Sequence, residues 1–213
     1  MHKLEDIAER IRVAFDAHTK ARDQALSQAR SLTRHCAHTI RAAHRGDQKQ
    51  AAKELDAAEQ LKETLRTGLS DYPNLYFAGY TQDALKEYAE ANIVYAFSRK
   101  EELPTPEELN LEEATYLKGL AEAVGEIRRR ILDILRTGYT DEVELLLNNM
   151  DDIYAVLVTM DYPDAVTGGL RRLTDVARSI IERTRGDVTL SLRHERLEQT
   201  LRQVEARING TLE

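Results

Sequence analysis

The chain has 213 residues, 42% of them hydrophobic, with 37 acidic against 30 basic side chains and a formal net charge of -7. That length can bury a substantial core as one domain, and the acidic balance excludes a protein that coats nucleic acid with its whole surface, so a phosphate-binding site has to be local. A single cysteine, Cys36, excludes an internal disulfide framework and a cysteine-built zinc cage, and no apolar run is long enough to span a bilayer.

Ten Gly and four Pro leave few places to stop a helix, and Ala, Leu, Glu and Arg dominate. These are the strong helix formers, so the expected fold is all-α. The opening "MHKLEDIAERIRVAF" is itself periodic rather than continuously apolar, unlike a signal peptide, and the expected location is cytoplasmic. The first helix is expected from about Leu4 to His44, ending at "HRGD", where Gly46 is a stop and Asp47 a cap for the next. The second runs from about Gln48 to Leu69 and ends at "TGLSDYPN". The third starts near Leu75 or Asp83 and reaches Lys100. "ELPTPEELN" reads as a loop with Thr105 as an N-cap before Pro106. A fourth helix follows from Leu111 to Arg136, and a fifth, capped by Thr140, reaches about Thr159. After "DYPDAVTGG" a sixth spans about Ala165 to Arg185, and "RGDVTLSL" leads into a seventh that carries the chain to its end. Without a fixed-period repeat or a low-complexity linker, one bundle of about seven helices over residues 1–213 is expected.

The first helix has two distinct faces. Leu26, Ala29, Leu32 or Thr33, Cys36, Ile40 and Ala43 form an apolar stripe, while Arg30, Arg34, His38, Arg41 and Arg45 form a cationic row on another side. Such a row can track a phosphate backbone, with Arg22, His35 and His44 as extensions. It can equally be a solvated face answered by Glu54, Asp56, Glu59 and Glu63 of the second helix. "HCAH" places His35 and His38 about Cys36, too few ligands for zinc.

Carboxylates supply the other candidate site. In "KEYAEANIVYAF", Glu87 and Glu90 lie one turn apart on one face, where a charged turn meets an apolar one. In "YLKGLAEAVGEIRRR", Glu122 and Glu126 project away from the stripe of Tyr116, Leu117, Leu120, Val124, Ile127 and Ile131, beside the small Gly119 and Ala123, which would leave room for a ligand. Two such helices can assemble an oxygen-rich site for Mg²⁺ or Mn²⁺, ions that polarise a phosphodiester and activate water. Paired glutamates in so acidic a chain are also common as plain solvated surface.

Two long stretches, "EATYLKGLAEAVGEIRRRILDILRTGYTDE" and "DDIYAVLVTMDYPDAVTGGLRRLTDVARSIIERTRGD", resemble the translin family, in particular its archaeal branch. The first is similar to a Tyr-Leu-x-Gly helix with an acidic residue and a Gly-Glu step; the second to a region ending in Arg-Gly. "EYAEA" is similar to the Glu-Tyr-x-Glu-Ala of the Trax-type, catalytic subunits. The resemblance covers nearly the whole chain. It implies an all-α subunit of a hollow, barrel-like octamer that binds single-stranded or structured RNA, and in some members DNA. It also implies a metal-dependent ribonuclease, with Glu87 and Glu90 matching the two motif glutamates and Glu122 an acidic residue that is usually aspartate. Glu126 matches the Gly-Glu step, which translin-type subunits share. One departure is "QDALKEYAEA", acidic where translin-type subunits carry a basic nucleic-acid-binding stretch. The expected function is therefore a Mg²⁺- or Mn²⁺-dependent endoribonuclease in a homo-oligomer. A non-catalytic ring that binds RNA or single-stranded DNA, and a purely structural oligomer, are the other readings.

Overall fold

A computed structural model of the chain describes residues 2–210. In chain order the helices are α1 (His2–His44), α2 (Gln48–Gly68), α3 (Pro73–Tyr76), α4 (Gly79–Arg99), α5 (Pro106–Leu109), α6 (Glu113–Leu135), α7 (Asp141–Val158), α8 (Asp164–Thr167) and α9 (Leu170–Gly210), with no strand among the described residues. The all-α expectation holds. Asp47 caps α2 through a side-chain bond from the Gln50 amide (3.0 Å), and Thr105 forms a capping box with Glu108.

Two features differ from the expected seven helices. Three single-turn helices, α3, α5 and α8, fill stretches expected mainly as loops, and the expected sixth and seventh helices are one, α9, which runs unbroken through Gly186. A helix-interior glycine costs roughly 1 kcal/mol relative to alanine. Tertiary bonds on both sides of Gly186 offset that cost. Arg128 of α6 donates to Thr184 Oγ1 (3.0 Å) and pairs with Asp187 (2.8 Å), while Arg185 pairs with Asp151 of α7 (2.7 Å). Local propensity marked a break that these three contacts override.

The helices divide into two compact units, one up to Gly119 and one from Leu120, and α6 passes through the boundary without a break. In the first unit α1 packs along α2 and α4, burying Ala29, Leu32, Cys36, Ile40 and Ala43 as the apolar stripe requires. With 43 residues α1 is about 64 Å long, twice the length of the 21-residue α2 and α4. Ala25 is its first buried residue; before it, His18 meets Asn74 (2.9 Å) and the edge of Tyr72.

A buried polar network fixes α2, α4 and α5 to one another. Lys62, only 3% exposed, donates to Glu59 Oε1 (2.9 Å) and to the Leu109 carbonyl (3.0 Å) and lies over the Tyr88 ring. The Tyr88 hydroxyl donates to the other oxygen of Glu59. Burial first, and then the bond to Glu59, push the Tyr88 hydroxyl far above its ordinary pKa, so it remains a donor. In the second unit α7 and α8 pack on α9, and Arg130 of α6 pairs with Glu142 of α7 (2.9 Å). No helix among the described residues is long and apolar enough to cross a membrane.

Candidate metal centre and cationic row

Because α1 and α2 both pack on α4, its apolar residues are buried on several sides and its few charged ones are confined to what remains. Glu87 and Glu90 occupy that remainder, Glu87 with 30% of its side chain exposed and Glu90 a buried residue at 8%. Tyr88, between them in sequence, points to Glu59 of α2 and so sets the rotation of α4.

Against α4, α6 makes two successive contacts one turn apart. Thr115 Oγ1 donates to Gln82 Oε1 (2.6 Å). Gly119 then lies so close to α4 that a Cβ there would be 2.6 Å from Ala89 Cβ, 2.8 Å from the Lys86 carbonyl oxygen and 3.0 Å from the Glu90 amide nitrogen. On the same unbroken helix, Glu122 follows one turn later, and its carboxylate lies with those of Glu87 and Glu90 so that one oxygen from each falls within 4.8 Å of the others. The expected role of the small residues is thereby corrected. Gly119 does not leave room for a ligand; it lets two backbones approach, and the approach brings the carboxylates together.

Three carboxylates at this spacing suit an oxygen-preferring divalent cation. Two oxygens bound to one Mg²⁺ or Mn²⁺ at about 2.1 Å lie no more than about 4.2 Å apart, so the observed spacing needs side-chain shifts of a few tenths of an ångström to close on an ion. Lys86 Nζ, 3.5 Å from Glu87 Oε1, supplies positive charge beside the group. Pairwise repulsion at this distance is on the order of 3 kcal/mol for an effective dielectric near 20, which favours cation capture. Cys36 of α1 faces the same region: burial pushes its thiol far above its usual pKa, and the charges of Glu87 and Glu90 add to the shift. Cys36 is not a member of the group of three, so the donor set there is oxygen. Glu126, with a quarter of its side chain exposed and Oε2 3.7 Å from Arg129, is not a member of the group of three.

The cationic row divides into two parts. Glu54 of α2 takes the histidines, with His35 Nδ1 at 2.7 Å and His38 Nδ1 at 3.5 Å from its Oε2. Arg30, Arg34, Arg41 and Arg45 are exposed, and the bonds and ion pairs of the described residues include no side-chain partner for them. The acidic second helix thus answers the histidines and not the arginines. At 100° per residue the row lies roughly 120 to 200° around α1 from Cys36, so it faces away from the carboxylate group that Cys36 faces.

The His35 bond, ahead of the smaller charge effects of His35 and His38, holds the Glu54 carboxyl below its ordinary pKa. A depressed folded-state pKa adds stability that is present above the ordinary carboxylate range and lost as pH falls through the depressed value. Glu54→Gln should therefore melt earlier than wild type at neutral pH, and the gap should close below about pH 4. Melting curves that stay parallel to low pH would contradict this assignment.

Sequence reasoning missed Gly119 as a helix contact and Lys86 as a neighbouring charge; it placed Cys36 on the buried stripe but not beside the charges of Glu87 and Glu90. The one-turn step from Gly119 to Glu122 was the available signal.

The features define a class of all-α protein in which two adjacent helices present a compact carboxylate group. No model of a known protein family matches the chain. An uncharacterized protein of Methanocaldococcus jannaschii is 32% identical over 187 residues, covering 86% of this chain and 82% of that protein. Among solved structures, AfC3PO is 32% identical with a TM-score of 0.78, covering 86% of this chain and 96% of that chain. The AfC3PO complex with duplex RNA matches at 32% identity and a TM-score of 0.77, over 86% and 95% of the two chains. Apo-NeC3PO, at 21% identity and a TM-score of 0.79 over 86% and 96%, shares the fold. The chain belongs to the translin family, alongside the C3PO proteins.

Proposed function

We propose that the protein is a Mg²⁺- or Mn²⁺-dependent endoribonuclease that cuts single-stranded or structured RNA inside a homo-oligomeric barrel, an octamer by family resemblance. The observation that carries this reading is the meeting of Glu87, Glu90 and Glu122 within 4.8 Å. The similarity to AfC3PO, a protein whose structure is solved in complex with duplex RNA, supports RNA as the substrate class. A divalent cation bound there supplies Lewis acidity toward a phosphodiester and a lowered pKa for bound water. Glu90, buried, provides the fixed member of the ligand set; Glu87 and Glu122, part-exposed, provide the members that substrate can approach. Glu126 serves as a neighbour one turn further along α6, a ligand only if its carboxylate turns toward the three.

Arg30, Arg34, Arg41 and Arg45, with His38 among them, hold the RNA backbone. Since this row faces away from its own chain's carboxylates, it grips RNA at a distance from the cut, or RNA at a neighbouring subunit. Each arginine neutralises about one phosphate, so Arg34→Ala with Arg41→Ala should lower the slope of log K against log salt by about 2 and weaken binding of all RNA sequences alike. An unchanged slope removes the row from the binding surface.

The unpaired arginines also favour a second reading, a non-catalytic nucleic-acid-binding ring. A cleavage assay on labelled single-stranded RNA with Mn²⁺ or chelator separates the two. Metal-dependent cutting by wild type, absent in Glu87→Ala and Glu90→Ala, supports the nuclease; binding without cutting under every condition supports the ring.

A further inference from the structure

The carboxylate group is not purely anionic. Lys86 precedes Glu87 on α4 with only 16% of its side chain exposed, and its Nζ lies 3.5 Å from Glu87 Oε1. At about 100° per residue, Lys86, Glu90 and Glu87 fall within one sector of α4, with Glu90 in the middle. The Lys86 carbonyl oxygen is 2.8 Å from where a Gly119 Cβ would stand, so the lysine backbone belongs to the close contact of α4 with α6. The ammonium is therefore anchored by the same contact that gathers the carboxylates.

A lysine on a solvated helix face extends its stem and keeps its charge in water. Lys86 is instead held down beside three carboxylates, where its charge offsets part of their mutual repulsion and competes with any cation for Glu87. The charges do not balance without an ion: three carboxylates and one ammonium leave a deficit that a single divalent cation cancels. Once that balance is reached Glu87 no longer needs the ammonium, and the next anion to arrive is a phosphate of the RNA. We propose that Lys86 is an exchangeable counter-ion and a catalytic residue. It holds Glu87 in the metal-free protein, yields that carboxylate to the divalent ion, and then binds a non-bridging oxygen of the scissile phosphate. There its fixed charge stabilises the negative charge that builds as phosphorus is attacked, a part that the second ion plays in two-metal sites. No proton moves through it. The proposal rests on the carboxylates being a metal centre and adds to that reading the source of the second positive charge.

Lys86→Met keeps most of the stem and removes the charge, and Lys86→Arg keeps the charge. Calorimetric titration with Mn²⁺ alone, without RNA, should show Lys86→Met binding about tenfold tighter than wild type, because the competitor for Glu87 is gone. The same Mn²⁺ concentration should also raise the melting temperature of Lys86→Met by more than that of wild type, a readout that holds even if the metal-free variant is less stable. Single-turnover cleavage of labelled single-stranded RNA at saturating Mn²⁺ should nevertheless fall by about 100-fold, and Lys86→Arg should recover at least about a tenth of the wild-type rate. Tighter metal with slower cleavage is a combination that a merely structural lysine does not produce. Mn²⁺ binding that is unchanged or weaker in Lys86→Met overturns the proposal, and so does an unchanged rate at saturation; both leave the metal centre standing. A wild type that binds no Mn²⁺ overturns the metal centre and this proposal with it.

Discussion

Glu90→Gln is expected to lose Mn²⁺-dependent RNA cleavage by at least about 100-fold, more than replacing an outer partner of a metal ligand costs. The substitution keeps the shape of the side chain and removes its charge. At 8% exposure Glu90 is the most enclosed of the three carboxylates, and α4 is held in rotation by Tyr88 and Glu59. RNA affinity in chelator should stay within about twofold, because the arginine row is untouched. Melting is a second readout. Saturating Mn²⁺ at 100 times its Kd stabilises a folded protein by about 2.7 kcal/mol. Wild type should show such a shift and Glu90→Gln should not. Equal cleavage by the two proteins would remove Glu90 from the metal centre.

Gly119→Ala is the second large effect, and it concerns a residue with no chemistry of its own. The added methyl would meet Ala89 Cβ at 2.6 Å and the Lys86 carbonyl oxygen at 2.8 Å. The latter is backbone and cannot rotate away, so α6 and α4 must separate. Overpacking of this kind costs about 1 to 3 kcal/mol. The separation moves Glu122 away from Glu87 and Glu90, so the variant should lose metal binding while retaining all three carboxylates. Gly125→Ala on the same helix meets nothing within 4 Å and serves as the control, expected to keep stability and activity. If Gly119→Ala binds Mn²⁺ as tightly as wild type, the close approach of α4 and α6 is not what builds the centre.

Much of the helical layout was legible because caps and breakers are local. Gly46 with Asp47 and Thr105 with Pro106 work through neighbouring backbone groups alone. Gly186 misled for the same reason: its retention in α9 depends on Arg128 and Asp151, residues far away in sequence. The site was half legible. Glu87 and Glu90 share a face by spacing, and Glu122 was read with Glu126 as a second pair and then matched by resemblance, but the convergence of the three depends on the approach at Gly119, which no periodicity reveals. The row on α1 was legible as a set of cations. Which of them α2 answers was not, since Glu54 had to be placed opposite His35 and His38 rather than the arginines.

The central claim is that Glu87, Glu90 and Glu122 hold one divalent cation. Crystals soaked in Mn²⁺ and measured at the manganese absorption edge test it directly. The predicted result is one anomalous peak about 2.2 Å from an oxygen of each of the three glutamates, absent in Glu90→Gln. No peak at the three carboxylates at saturating Mn²⁺, or one that survives unchanged in Glu90→Gln, would contradict the claim.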